Sequence, residues 1–380
     1  MKYVLLMCCI LGAIFPAFGD IQFKLGSVER VSKLFSYPSN CHVICFHDQT
    51  LEETVDIYLT SSVKRDGYAQ SEVIVNVDND KVLVTITGEI PATYQTIIEQ
   101  FLQAGDLALA GAKKLHADEQ WRANWRFYLP LGLAMQHHKS LQILHFPPDY
   151  VLNDVQDYLD TNTTKRWGAL LTINGVPQAE TDRFQTIIDI APIAAPSRAG
   201  KTLKNTYNYF SAFTTSLIEH WTTPKPETSA TIPVVVFGWP ARNWFAKQYD
   251  ITLDVLSTGI IELENGRKVA VIGANHPSYI WYAGNVRDNP QGKPETENDA
   301  YQRALKVMTE DLTVACWQSQ MAGESLTHSE ALLANSNSTL ASCKTKWAAQ
   351  PQQVCELYHQ QAKRMSEAEA KQQCEKTSES

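Results

Sequence analysis

Residues 232–239 read IPVVVFGW, and residues 268–282 read KVAVIGANHPSYIWY. Each opens on a short apolar, β-branched run, the composition of a strand buried on both faces of a sheet. Just before the second run, Asn265-Gly266 joins IIELE to RKVAV, a strong short-range hairpin signal. The first run ends in Pro240-Ala241, and the second delivers His276-Pro277-Ser278 onto the loop that follows. An imidazole and a hydroxyl at the carboxyl end of a strand stand where open α/β sheets bind ligands. These runs predict an α/β fold: three layers, α/β/α, around a short, mostly parallel central sheet.

Working outward, GALLTIN (168–174) reads as a third strand, and the stretch 205–221, NTYNYFSAFTTSLIEHW, as a helix. Residues 297–317 place Tyr301, Leu305, Met308 and Leu312 on one helical stripe. Upstream, SEVIVNV and KVLVTITGEI alternate as strands joined at Asp78-Asn79-Asp80, and 92–102 reads as a helix. The order strand, turn, strand, TGEIP, helix is similar to BON-type domains of bacterial envelope proteins. Residues 318–380 are rich in Ala, Gln and Glu, which predicts short helices. The expected organisation is a leader (1–19), a small α+β domain (20–110), the central α/β domain (111–317) and a helical, cysteine-containing tail (318–380).

The leader carries Lys2, an apolar run from Tyr3 to Phe15, and Ala17-Phe18-Gly19 before Asp20. That is the pattern of a cleavable secretory signal, too short to span a membrane, so a secreted or periplasmic location is expected. Beyond it lie Cys41, Cys45, Cys316, Cys343, Cys355 and Cys374. An even number in an exported chain predicts disulfides, with the tail cysteines stapled together or back onto Cys316, and the pairing left open. No CxxC pair and no HExxH motif is present, so neither a metal nor another cofactor is expected. The formal charge of −8 argues against clamping DNA along a whole face, though not against a local basic groove.

Six ordered pieces of the central segment together resemble the uracil-DNA glycosylase superfamily. They are Gly132-Leu133-Ala134, Pro147-Pro148 followed by VLNDVQDYLD, Trp167 to Asn174, Phe210 to Ile218, Val234 to Ala241, and His276-Pro277-Ser278. The resemblance implies a flipped nucleobase read in a snug pocket. It assigns base reading to the Asn174 amide and oxyanion-type stabilisation to His276. Ser278, Pro277, Pro147 and Pro148 would press on a DNA phosphate. Ile280 or Trp281 would fill the vacated stack, and Met135 stands where the family stacks an aromatic on the base.

The departures from the family pattern bear on activity. The Gly-Gln-Asp-Pro-Tyr-His loop of active members, whose carboxylate orients water, is best matched by Gly111-Ala-Lys-Lys-Leu-His116, with Lys113 in the carboxylate's place. Glu89, in Gly88-Glu-Ile-Pro91, is the other carboxylate candidate. The expectation is therefore an exported glycosylase-like protein that engages single-stranded or damaged DNA, or a free nucleobase, with weak, altered or lost N-glycosidase (hydrolase) activity. The alternative is a non-enzymatic envelope or secreted scaffold. Two other clusters read as solvated or packed groups: His137-His138, and Trp121 and Trp125 with Lys113, Lys114, Arg122 and Arg126. Ser278 and His276, two residues apart on a tight loop, do not read as a nucleophile–base pair.

Overall fold

The computed structural model describes residues 18–38, 49–129, 132–149, 161–223, 231–287, 294–323 and 329–378. Most of the leader, Cys41, Cys45 and the expected helix at 151–160 lie outside the described residues.

The chain opens with β1 (Phe18–Ser27), α1 (Val28–Ser36), α2 (Leu51–Arg65), β2 (Glu72–Asp78), β3 (Lys81–Pro91) and α3 (Thr93–Ala117). The three strands form an antiparallel sheet in the order β1-β3-β2. Pairing begins at Phe18 against Pro91, two residues before the expected cleavage point. A reciprocal capping box between Thr50 and Glu53 starts α2, satisfying two backbone donors that the first turn leaves open. Helix α3 buries Ile97, Ile98, Phe101 and Leu102 and continues through Ala108, Leu109, Ala112 and Leu115. It therefore runs across the domain boundary expected at 110. It also absorbs Gly111 to His116, so that stretch is no catalytic loop. Gly111 is required by packing, since a Cβ there would sit 2.1 Å from the Tyr209 carbonyl oxygen.

Next come β4 (Arg126–Phe127), β5 (Leu141–Leu144), α4 (Asn162–Ile173), β6 (Thr186–Asp189), β7 (Ile193–Ala194), α5 (Gly200–Leu203), α6 (Ser211–Thr222), β8 (Val234–Phe237), α7 (Gly238–Gln248), β9 (Thr258–Glu262) and β10 (Lys268–Ala274). Five of the strands make one sheet, ordered β6-β5-β8-β10-β9. The first four run parallel and β9 is an antiparallel edge. Every residue of β5, β6 and β8 is buried, so both faces are covered. This is the mixed α/β fold with a mostly parallel sheet that the apolar runs predict. The hairpin across Asn265-Gly266 forms as β9 and β10.

One expected strand is not a strand. Residues 168–174 lie in α4 and its C-cap, because Thr161 caps a helix whose Trp167, Leu170 and Leu171 repeat at helical spacing on a buried face. The Trp167 ring packs edge-on against Phe237 of β8 at 4.6 Å.

The chain ends in α8 (Ile280–Ala283), α9 (Glu297–Met321), α10 (Ser329–Ala348), α11 (Pro351–Lys363) and α12 (Glu367–Ser378). Helix α9 runs through the boundary expected at 317. Two disulfides staple these helices, Cys316–Cys343 between α9 and α10 and Cys355–Cys374 between α11 and α12. No described helix is long and apolar enough to cross a membrane.

Candidate functional site

The parallel strands share one carboxyl edge, and the residues that leave it come from four of them. His145 follows β5, Asp189 ends β6, Gly238 follows β8, and Asn275 and His276 follow β10. Gly238 takes φ +75°, and a Cβ on it would meet His276 Cβ at 3.2 Å, so the two loops touch there.

His276 is the N-cap of a 3-10 turn over Pro277–Tyr279. Its Nδ1 accepts from the Ser278 backbone N–H at 3.2 Å and lies 2.7 Å from Ser278 Oγ. An Nδ1 that accepts a backbone N–H carries no proton, so the neutral ring presents Nε2–H as a donor. Burial, then the Arg166 guanidinium, lowers the His276 pKa to about 4. The contact between Ser278 and His276 thus exists, but as a cap.

Behind this loop, Arg166 of α4 is almost fully buried. It donates from Nη1 to the Pro277 carbonyl at 2.7 Å and from Nη2 to Asp311 at 2.7 Å. Asn275 Nδ2 donates to Glu310 at 2.7 Å. Helix α9 therefore fixes both ends of the His-Pro-Ser loop. On the other side His145 pairs through Nε2 with the Tyr207 hydroxyl. Burial, then the repulsion that a protonated His276 would exert, lowers its pKa to about 3, and burial pushes the Tyr207 phenol up. Two neutral imidazoles thus share the edge, each within electrostatic reach of the other.

Pro147 and Pro148 sit at this same edge, where Ala195 N–H donates to the Pro147 carbonyl at 3.2 Å and Pro148 bridges to Ala195. The remaining expected site residues do not join them. Asn174 caps the far end of α4, eight residues or about 12 Å along the helix from Arg166. Its amide nitrogen donates to the carbonyls of Leu170 and Leu312, at 3.0 and 3.2 Å. Its oxygen accepts from Lys346 Nζ and Trp347 Nε1, at 3.0 and 3.2 Å. With those four partners it holds the tail to the core, at the end of α4 away from the His-Pro-Ser loop. Met135 is fully buried, its N–H donating to Asp66 Oδ2 at 3.0 Å. The adjacent Ala134 carbonyl meets Thr186 at the start of β6, which puts Met135 at the amino edge, away from His276. Trp281 is half-buried and donates to the Gln361 carbonyl at 3.3 Å, while Ile280 is buried, so neither is a free wedge. Glu89 is exposed on β3 of the N-terminal sheet, and Trp125 is buried.

Residues to which no motif assigns a role complete the edge. Trp239, one residue beyond Gly238, is 63% exposed, and Tyr282 on α8 is 58% exposed. Arg287 lies 5.4 Å over the Tyr279 ring. Gly200 stands against the His145 ring, where a Cβ would be 3.3 Å from Cε1. It lies between exposed Arg198 and Lys201, with Lys204 following. No acidic residue occurs from 190 to 218, so this segment is cationic in a chain of net charge −8. The clue was available as a run of bases without acids. The carboxylates nearest His276 in the chain's bonding pattern, Asp311 and Glu310, are taken by Arg166 and Asn275.

The chain matches no protein-family model, no curated protein and no solved structure.

Proposed function

We propose that the carboxyl edge of the parallel sheet binds single-stranded nucleic acid through one base and the neighbouring phosphates, without efficient cleavage of the glycosidic bond. The observation that carries this reading is His276, held neutral with Nε2–H as donor, one touching glycine away from the exposed indole of Trp239. An exposed indole offers a base its face, and the 198–204 bases offer the backbone counter-charge. The imidazole suits a carbonyl oxygen of the base. Of the sequence resemblance to the uracil-DNA glycosylase superfamily this reading keeps only the His-Pro-Ser loop and Pro147-Pro148, and use outside the cytoplasm fits the disulfides. Efficient hydrolysis needs a carboxylate to orient water. The two acids bonded around the His-Pro-Ser loop are already committed to Arg166 and Asn275, and Asp189 ends β6, which β5 and β8 separate from the β10 strand that carries His276.

A non-enzymatic scaffold is the second reading, favoured by Asn174, which the family resemblance makes a base reader and which here fastens the tail. The deciding experiment mixes the protein with a single-stranded oligodeoxynucleotide containing uracil and follows both retention and base release. Retention with little or no uracil released is the expected result. No retention at any salt concentration leaves the scaffold reading.

A further inference from the structure

Helices α11 and α12 bring together three groups that the nucleic-acid site does not use. Cys355 and His359 stand one turn apart on α11, on a single face. Cys374 of α12 completes the set, and one potential ligand atom from each residue lies within 4.8 Å of the other two. All three are buried. The Tyr301 hydroxyl of α9 stands 3.1 Å from Cys355 Sγ and 3.4 Å from His359 Nε2. His359 is only 6% exposed, and its Nδ1 is buried without a hydrogen-bond partner. A disulfide needs no imidazole beside it, and burying an unpaired ring nitrogen costs free energy.

We propose that, once the Cys355–Cys374 disulfide is reduced, Cys355, Cys374 and His359 form a zinc-class metal site, with the Tyr301 hydroxyl or a water as fourth ligand. Two thiolates and one imidazole are a soft, borderline donor set that suits tetrahedral Zn²⁺. Two thiolate charges neutralise the divalent ion, so the occupied cluster is uncharged and tolerates burial. Thiolates sharing one zinc at about 2.3 Å lie about 3.8 Å apart, a separation side-chain rotation reaches from the bonded pair. The chemistry balances with a dithiol as reductant: it becomes a cyclic disulfide as the protein disulfide becomes two thiols. Metal binding then releases the two thiol protons. The cross-link between α11 and α12 is kept in both states, covalent in one and coordinate in the other.

The test uses the full chain carrying Cys8→Ser, Cys9→Ser, Cys41→Ser, Cys45→Ser, Cys316→Ala and Cys343→Ala, which leaves only Cys355 and Cys374 as thiols, reduced under anaerobic conditions and titrated with Co²⁺. The expected result is one equivalent bound, with thiolate charge-transfer and tetrahedral d–d bands that Zn²⁺ bleaches. His359→Gln should weaken Co²⁺ binding at least about tenfold, the size that loss of even an outer partner reaches. Absence of thiolate–cobalt bands overturns the proposal, as does an unchanged affinity in His359→Gln. Should that variant unfold, X-ray absorption on the zinc-loaded parent decides. A mixed shell of two sulfurs with nitrogen or oxygen supports the site, and any other shell refutes it.

Discussion

Arg166 and Asp311 form an ion pair at 2.7 Å with side chains only 3% and 0% exposed, and the same guanidinium holds the Pro277 carbonyl. The pair couples α4 to α9 and aims the His-Pro-Ser loop. Removing one partner strands the other charge in the interior, which costs about 3–5 kcal/mol. Asp311→Ala should therefore lower the unfolding free energy by about that much in denaturant titration. Arg166→Met with Asp311→Leu should recover much of the loss. An additive double variant would mean that the two groups act independently.

His276 and His145 make stability depend on pH in a defined direction. Their folded pKa values, about 4 and about 3, lie below the unfolded value of 6.5. The folded state thus binds fewer protons, so stability is full above pH 6.5 and is lost as pH falls through the folded values. Asp311 works the other way, because burial raises its pKa to about 6 despite Arg166, so its contribution fades as pH rises through that value. Around the His-Pro-Ser loop the two histidines outweigh Asp311, and their joint contribution to stability should fall as pH drops from 6.5 to 4. His276→Asn keeps a side-chain cap and removes one titration. It should flatten the fall by an amount on the order of 3 kcal/mol, read from denaturation midpoints across pH.

Asn174→Ala should lower stability and leave ligand binding alone. It leaves the buried Trp347 Nε1–H and Lys346 without their acceptor. Loss of about 2–3 kcal/mol is expected by denaturant titration, with unchanged oligonucleotide affinity. A loss of affinity at unchanged stability would restore this residue to the site.

Peptide mapping without reductant should return Cys316 linked to Cys343 and Cys355 linked to Cys374. Cys316→Ala with Cys343→Ala opens a loop of sequence separation 27. It should cost about 3 kcal/mol, chiefly by freeing the unfolded chain.

How far the sequence speaks for itself differs between elements. The runs at 234–237 and 268–274 are legible because β-branched residues end against Gly, Pro and Asn-Gly turns. GALLTIN misleads because a seven-residue apolar run is equally a segment of buried helix, and only the Thr161 cap and the partners of Trp167 decide. The true neighbours β5 and β6 are four residues each, too short for periodicity to register. At the site, His276 was legible from its place after a strand. Arg166, His145 and Trp239 were not, because their meaning comes from long-range contacts: Arg166 reaches Pro277 across 111 residues. Cys355 and His359 have the spacing of one helical turn, but Cys374 joins them only through the α11–α12 pairing.

The account depends on the face of Trp239 and on the cations of residues 198–204. Fluorescence anisotropy of a labelled oligothymidylate, titrated with protein across a salt series, reads both. With Arg198, Lys201 and Lys204 each meeting a phosphate, log affinity should fall against log salt with a slope of about −2. Trp239→Ala should weaken binding by about 1–3 kcal/mol, the worth of one stacked base, at unchanged stability. No binding at low salt, or equal affinity in Trp239→Ala, would contradict the assignment of this edge.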